Sequence, residues 1–158
     1  MRHGGKILID QLEAQGAQAV FTVPGESFLA ALDGLHDSNR IRTVICRQEG
    51  GAAFMAEAHG KLTGRPGVCF VTRGPGATNA SIGVHTAFQD STPMVLFVGD
   101  VASDTRDREA VTAGRCDREG RGGTLRAGIF RDAAHLHDDV DDVGQIVRSF
   151  GLHHCLQP

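Results

Sequence analysis

Apolar residues along the first part of the chain follow two alternating patterns. Four short runs are apolar almost throughout, as buried parallel strands are, and they occupy residues 18–23, 41–46, 67–72 and 94–98. Apolar positions elsewhere recur every three or four residues, which predicts helices over 6–15, 27–35, 49–62 and 77–88. This alternation predicts an α/β fold in which a parallel sheet is covered by helices on both faces.

The turns that lead from each strand into the next helix contain the unusual residues of the chain. These turns are residues 24–26, 47–49, 73–76 and 99–100. Right-handed crossovers bring every such turn to one edge of a parallel sheet. Because ligands of open α/β sheets bind at this carboxyl edge, the sequence predicts a site there.

Composition narrows the class of protein. The 158 residues suit one domain, and 41% hydrophobic with 22% charged residues is typical of a soluble globular protein. A formal charge of -3 gives no basis for binding nucleic acid or an anionic membrane. The sequence has no apolar run of membrane-spanning length and no signal peptide, so a cytoplasmic location is expected. Its four cysteines form no CxxC pair and are expected to be free thiols.

Beyond the fourth strand the regular pattern fades. Residues 104–139 are rich in Arg, Asp and Gly, and their one concentrated apolar patch is 127–130. We therefore predict a folded domain over 1–110 and an irregular, poorly packed tail over 111–158, with a short helix over 140–150. The His and Cys residues of the tail match no closed zinc-ligand spacing, so no metal site is predicted.

Glu49 stands where the strand 41–46 passes almost directly into a helix. Small residues follow it, and then Phe54 and Met55, so the carboxyl group is expected to be poorly hydrated. Poor hydration favours the protonated form, which suits a group that donates or shares a proton. The alternative is that Glu49 only complements the positive end of the helix dipole.

Gly74, Pro75 and Gly76 form a glycine-rich turn that opens the helix containing Thr78 and Asn79. Backbone amides at a helix start can hold an anion, and missing side chains let a flat ring approach the main chain. The turn is neither GxGxxG nor a P-loop, since Asn79 replaces the third glycine and no Gly-Lys-Ser/Thr follows. A tight turn without a ligand is the alternative.

Other polar residues near this edge each have two interpretations. Glu26 either faces the site or supports a helix start that Ser27 caps. His85 and Gln89, one helical turn apart, are candidate substrate contacts, whereas His85 could equally be a buried, hydrogen-bonded residue. Arg73 either binds an anionic ligand or is solvated.

Three segments together resemble a known family. They are FTVPGESF (21–28), RQEGGAAFMAEAHGKLTGRPGVCFVTRGPGATN (47–79) and HTAFQDSTPMVLFVGD (85–100). The chain is similar, over about residues 4–109, to the N-terminal pyrimidine-binding domain of thiamine-diphosphate enzymes, and in particular to the acetolactate synthase-like group. This resemblance implies the flavodoxin-like form of the α/β fold.

The resemblance also implies roles for individual residues. The glutamate that matches Glu49 would be catalytic, sharing a proton with N1′ of the cofactor's aminopyrimidine ring. The substrate would be a 2-oxo acid, and the reaction that of a lyase or transferase, with Glu26 on the substrate side. The other cofactor-binding residues would be Pro24, Gly25, Glu26, Gly74, Pro75, Thr78 and Asn79.

The chain departs from the family in three ways. Val23 stands before Pro24 where acetolactate synthases often have Tyr, and Gly99-Asp100 replaces a common Gly-Gln pair. Both differences weigh against acetolactate synthesis itself and against an FAD requirement. The 158 residues also lack the GDG…N motif through which Mg²⁺ holds the diphosphate in this family.

The missing motif predicts that the chain by itself binds the cofactor weakly and is inactive. We therefore expect a truncated or frame-disrupted product whose partner is a homodimer mate or a full-length enzyme subunit, and whether the chain is itself an enzyme stays open. Two other functions also stay open. One is a non-catalytic docking or dimerisation module, and the other is an unrelated nucleotide-binding flavodoxin-like domain.

Overall fold

The computed structural model describes residues 3–100 together with the backbone of residues 125–130. The elements in chain order are α1 (Gly4–Ala14), β1 (Ala19–Thr22), a 3-10 helix (Glu26–Phe28), α2 (Leu29–Asp37), β2 (Arg42–Ile45), α3 (Glu49–Thr63), β3 (Gly67–Val71), α4 (Pro75–Gln89), β4 (Met94–Gly99) and β5 (Leu125–Phe130). The four predicted helices and four predicted strands are confirmed within two residues of their expected bounds. Within this described part, no helix has the length and apolarity to cross a lipid bilayer.

The strands form one sheet in the order β2-β1-β3-β4-β5. β1 to β4 are parallel, as predicted, and β5 runs antiparallel to β4, with Phe130 opposite Met94. This fifth strand was not predicted, although it includes the apolar patch 127–130. It pairs with the edge of β4, which would otherwise present unpaired backbone groups. The domain boundary near residue 110 and the helix over 140–150 lie outside the described residues and stay predictions.

The strand order reverses between β1 and β3. From β1 the chain passes outward to β2, then crosses back over β1 to β3 and continues to β4. α1 packs against α2, and α3 packs against α4, as two separate layers. A crevice is expected at such a reversal, between the turns that follow the two strands.

The two faces of the sheet have cores of different character. Val68 and Phe70 of β3 contribute to the core beneath α1 and α2, where the ring of Phe70 stacks on Phe97 with centroids 4.5 Å apart. Cys69 and Val71 contribute to the opposite core, which is built largely from alanines. Because those side chains are small, the backbones of α3 and α4 approach each other closely.

The helix starts differ from the prediction in one place. Ser27 does not cap α2. A 3-10 helix leads into α2, and no side chain caps the start of the 3-10 helix or of α2. The Ser27 hydroxyl instead forms a hydrogen bond with the Thr72 hydroxyl at 2.8 Å. α3 has a side-chain cap, since Gln48 Oε1 accepts a hydrogen bond from the Gly51 amide at 3.0 Å.

Candidate functional site

Thr72, the residue after β3, joins three turns at the carboxyl edge of the sheet. A Cβ atom added at Gly25 would lie 2.8 Å from Thr72 Cβ, and one added at Gly76 would lie 2.8 Å from Thr72 Cγ2. The turn after β4 reaches the same cluster, because a Cβ at Gly99 would lie 2.2 Å from Ser27 Oγ, the Thr72 partner. Three glycines thus allow the turns after β1, β3 and β4 to touch.

Glu49 completes this edge from the turn after β2. Its Oε2 accepts a hydrogen bond from Asn79 Nδ2 at 2.9 Å. A Cβ atom added at Gly76 would lie 3.4 Å from Glu49 Oε1. The carboxyl group, half-buried at the start of α3, is therefore held directly beside the glycine-rich turn.

The glycine-rich turn keeps its backbone bare toward the carboxyl group. Gly74 has φ 59° and ψ −115°, a conformation that residues with a side chain rarely adopt. Pro75 then occupies the first turn of α4, where its missing amide hydrogen matters little. Among residues 3–100, no group donates a hydrogen bond to Glu49 Oε1. The site therefore offers one oxygen of the carboxyl group that is hydrogen-bonded and one that is not, beside the glycine-rich turn.

Phe54 and Met55 do not enclose Glu49 as the sequence suggested. Their side chains are 42% and 48% exposed, respectively. α3 buries its glycines and alanines against α4 and the sheet, since a Cβ atom added at Gly83 would lie only 2.5 Å from Ala53 Cβ. Large side chains do not fit in that contact, so they project outward.

Cys69 lies fully buried in β3 on the side of the sheet that carries α3 and α4. Burial raises the pKa of the Cys69 thiol to about 12, and electrostatic repulsion from Cys46 and Glu49 adds to this effect. The thiol is therefore neutral and unreactive at physiological pH. Cys46 and Cys69 are free, as predicted, while Cys116 and Cys155 lie outside the described residues.

The raised pKa of Cys69 predicts a loss of stability at alkaline pH. The unfolded chain releases this proton near the ordinary value of 9.0, whereas the folded chain keeps it up to about 12. The free energy of unfolding should therefore fall between these values, by up to about 1.4 kcal/mol per pH unit. Urea denaturation of the wild type and of Cys69→Ala over this range isolates the effect. Parallel curves for the two proteins would contradict this prediction. Cys46→Ala is the matched control and should keep most of the loss, because burial is the largest cause of the raised pKa of Cys69.

Arg73 and Glu26 form an ion pair between the turns after β3 and β1. Arg73 Nη2 lies 3.2 Å from Glu26 Oε1. The Arg73 side chain is only 18% exposed, so it is not the solvated residue that one interpretation of the sequence allowed, whereas the Glu26 side chain is 71% exposed. The positive charge is thus more buried than the negative charge that accompanies it.

His85 and Gln89 are not brought to Glu49. Both side chains are exposed on α4, so His85 is not the buried, hydrogen-bonded residue that was considered. Asn79 precedes His85 by six residues, which is about 9 Å along a helix. Three other predicted site residues are exposed close to the carboxyl edge: Pro24, Pro75 and Thr78. Within residues 3–100, no cluster of three or more His, Cys, Asp or Glu side chains could hold a metal ion.

Two contributors to the site were missed by the sequence analysis. Thr72 joins the turns, and Gln48 fixes the start of α3 just before Glu49. The available signal was their position, because each polar residue stands between an apolar run and a segment of small residues. Thr72 bonds Ser27, which is 45 residues away, so no local pattern predicts that contact. Gln48 accepts from an amide three residues later, as N-cap residues do, although glutamine is not a preferred cap.

The chain matches a known protein family over most of its length. Residues 2–119 match the family described as "Thiamine pyrophosphate enzyme, N-terminal TPP binding domain". The chloroplastic acetolactate synthase of Arabidopsis thaliana is 42% identical over 100 residues, which are 63% of this chain and 15% of that protein. The mitochondrial acetolactate synthase catalytic subunit of Saccharomyces cerevisiae is 38% identical over 107 residues, 68% of this chain and 16% of that protein.

A bacterial relative matches to a similar degree. The acetolactate synthase of Bacillus subtilis is 43% identical over 98 residues, which are 62% of this chain and 17% of that protein. The chain thus spans less than a fifth of the length of the curated relatives that it matches. The family match covers more than half of the chain and includes every turn of the site. The chain therefore belongs to the thiamine pyrophosphate enzyme family, as an N-terminal cofactor-binding domain of the acetolactate synthase-like type.

Proposed function

We propose that the carboxyl edge of this domain binds the aminopyrimidine ring of thiamine diphosphate, with Glu49 as the catalytic acid–base residue. The enzyme to which it contributes would decarboxylate a 2-oxo acid or join it to a second carbonyl compound. The observation that carries the proposal is the hydrogen-bonded pair of Glu49 and Asn79 against the turn at residues 74–76. When bound, the cofactor supplies a carbon nucleophile and an electron sink.

The residues at this edge fit a flat nitrogen heterocycle. Gly74 and Gly76 carry no side chains, and a Cβ atom added at Gly76 would lie 3.4 Å from Glu49 Oε1. Oε1 itself has no donor among residues 3–100 and can meet a ring nitrogen. Both features are what a planar ring that exchanges a proton with a carboxyl group requires.

Each residue of the pair has a distinct task in this proposal. Glu49 holds or releases a proton at Oε1, facing the ring. Asn79 donates to Oε2 and so restricts the rotation of the carboxyl group, which keeps Oε1 in one orientation. A positioned acid–base group of this kind typically contributes a factor of about 10² to 10⁴ to the reaction rate. The cofactor roles of the other edge residues remain part of the proposal: Pro24, Gly25, Glu26, Gly74, Pro75 and Thr78.

The diphosphate of the cofactor needs a separate anchor. The GDG…N motif is absent from residues 1–158, so the proposal assigns Mg²⁺ and the diphosphate to residues outside them. A homodimer mate or a full-length enzyme subunit would supply that part. The 158 residues alone would then be inactive. FAD is not included, because Val23 and Asp100 differ from the acetolactate synthase pattern.

Nuclear magnetic resonance (NMR) of the ¹⁵N-labelled 158-residue chain tests the proposed cofactor site. Thiamine and thiamine diphosphate should both shift the side-chain amide signals of Asn79 in a saturable way, with affinity on the order of millimolar because only one ring is held. Glu49→Ala should remove this response, and inorganic pyrophosphate should not reproduce it. The proposal would be contradicted if the Asn79 signals did not change on addition of thiamine, or if pyrophosphate shifted them equally.

A docking or dimerisation module is the second candidate. It is favoured by large apolar side chains exposed on α3 and α4: Phe54, Met55, Leu62, Ile82 and Phe88. Apolar side chains on adjacent helices are typical of a surface that another chain covers. If thiamine leaves Asn79 unaffected while the chain binds a full-length relative, this second function replaces the first.

A further inference from the structure

Arg73 has a feature that the proposed cofactor site does not use. Its Nε is buried and has no hydrogen-bond partner among residues 3–100. Its Nη2 is paired with Glu26. Buried polar groups without a partner are uncommon in folded proteins, and each one calls for an explanation. An incompletely filled anion site at Arg73 would account for this one.

The geometry of the guanidinium group defines what could fill it. Nε and Nη2 project from the same edge of the planar group, and that edge can hold a carboxylate through two parallel hydrogen bonds. Glu26 reaches Nη2 with one oxygen, at 3.2 Å, and leaves Nε unbonded. An anion with two coplanar oxygens, such as a carboxylate, would satisfy both donors.

The pair also occupies the place in the fold where a ligand is expected. Glu26 follows β1 and Arg73 follows β3, and these two strands are neighbours where the strand order reverses. The turn that begins at Arg73 continues to Gly76, which lies beside Glu49 Oε1. A ligand bound by Arg73 would therefore be close to the proposed pyrimidine site.

The charges at this edge favour a monoanion. The four turns carry two guanidinium groups and three carboxyl groups, which are Arg47, Arg73, Glu26, Glu49 and Asp100. A carboxylate that takes the place of Glu26 leaves the charge around Arg73 unchanged. A diphosphate would add at least one further negative charge near the remaining carboxyl groups. Glu26 can move aside readily, because its side chain is 71% exposed.

We propose that Arg73 binds the carboxylate of the 2-oxo acid substrate, and that Glu26 holds the guanidinium group until the substrate displaces it. The identity of the substrate as a 2-oxo acid rests on the proposed function. The role of Arg73 as the carboxylate-binding residue rests on its unfilled donor and on its position beside the reversal point. Glu26 is then a competitor of the substrate and a positioning residue for Arg73.

The test follows the Nε–Hε signal of Arg73 in the ¹⁵N-labelled 158-residue chain, assigned by its loss in Arg73→Lys. Pyruvate should shift this signal in a saturable way, and methyl pyruvate, which lacks the charge, should not. Glu26→Gln should tighten pyruvate binding by up to about fivefold, the factor expected when an exposed competing ion pair is removed. Glu13→Gln, the same change on α1, is the matched control and should leave the affinity unchanged.

Three results would overturn the inference. They are an equal response to methyl pyruvate, tighter binding of inorganic pyrophosphate than of pyruvate, and weaker pyruvate binding in Glu26→Gln. Failure here is distinguishable from failure of the proposed function. If thiamine shifts Asn79 while pyruvate leaves Arg73 unaffected, the cofactor site stands and the carboxylate site falls. If only Arg73 responds, the carboxylate site stands without the cofactor site.

Discussion

Replacement of Glu49 by glutamine is expected to lower the turnover of a 2-oxo acid at least about a hundredfold. Glutamine has nearly the same size and can still accept the hydrogen bond from Asn79, but it cannot take up or release a proton. The measurement is the rate of carbon dioxide release from pyruvate, in an active assembly of this chain with a subunit that carries the diphosphate-binding part. Thiamine affinity should change much less than turnover, because most contacts with the ring are kept.

Glu13→Gln is the matched control for this experiment. Glu13 is also a half-buried glutamate that accepts a side-chain hydrogen bond, from Ser38 at 2.6 Å, but it lies on α1 in the opposite layer. Its replacement should leave turnover unchanged. Unchanged turnover in Glu49→Gln would remove Glu49 from the mechanism. Equal losses in both variants would indicate a general effect of losing a carboxylate.

Replacement of Gly83 by alanine is expected to lower the free energy of unfolding by about 2 to 3 kcal/mol. An added Cβ atom would lie 2.5 Å from Ala53 Cβ and 2.8 Å from the Phe54 backbone nitrogen. Backbone atoms cannot rotate away as a flexible side chain can, so α3 and α4 must move apart. Urea denaturation followed by far-ultraviolet circular dichroism measures the change, which suits a chain without tryptophan or tyrosine.

Gly51→Ala is the control for the change at Gly83. Gly51 lies in the first turns of α3, and an added Cβ atom would meet nothing within 4 Å. Alanine there should stabilise the chain by up to about 1 kcal/mol, because it lowers the backbone entropy of the unfolded state. Equal stability of Gly83→Ala and the wild type would mean that the two helices are farther apart than described.

The change at Gly83 also connects packing with the site. Glu49 stands at the start of α3 and Asn79 near the start of α4, so separation of the helices should lengthen the hydrogen bond between them. The side-chain amide signals of Asn79 should therefore differ from those of the wild type in Gly83→Ala. The close contact of two helices built from small residues is thus what holds the proposed acid–base residue in position.

Apolar periodicity was sufficient to predict the layering of this protein. Apolar strands that alternate with helices pack favourably as a parallel sheet covered by helices on both faces. Right-handed crossovers then bring the turns after β1, β2, β3 and β4 to one edge of this sheet. This common edge placed Glu49 and the turn at residues 74–76 on the same side of the sheet, but β1 lies between β2 and β3, so their direct contact did not follow from chain order. The three motif segments, residues 21–28, 47–79 and 85–100, were sufficient to predict the family.

Side-chain contacts within the site could not be predicted in this way. The pairs Glu49–Asn79 and Glu26–Arg73 depend on the register of the sheet and on the rotation of α3 and α4, which local spacing does not specify. Periodicity was ambiguous in α3, because small and large apolar residues surround the helix, and Phe54 and Met55 were therefore wrongly expected to shield Glu49.

The sequence by itself thus determined the layering of helices on a parallel sheet, the edge that carries the candidate site and the family to which the chain belongs. Only the tertiary structure decided which side chains meet at that edge, which apolar residues face outward and that β5 pairs with β4. The physical reason is the range of the interactions, because periodicity and turn chemistry reflect residues that are near neighbours along the chain. Contacts such as Glu49–Asn79, by contrast, depend on how closely whole helices and strands can pack.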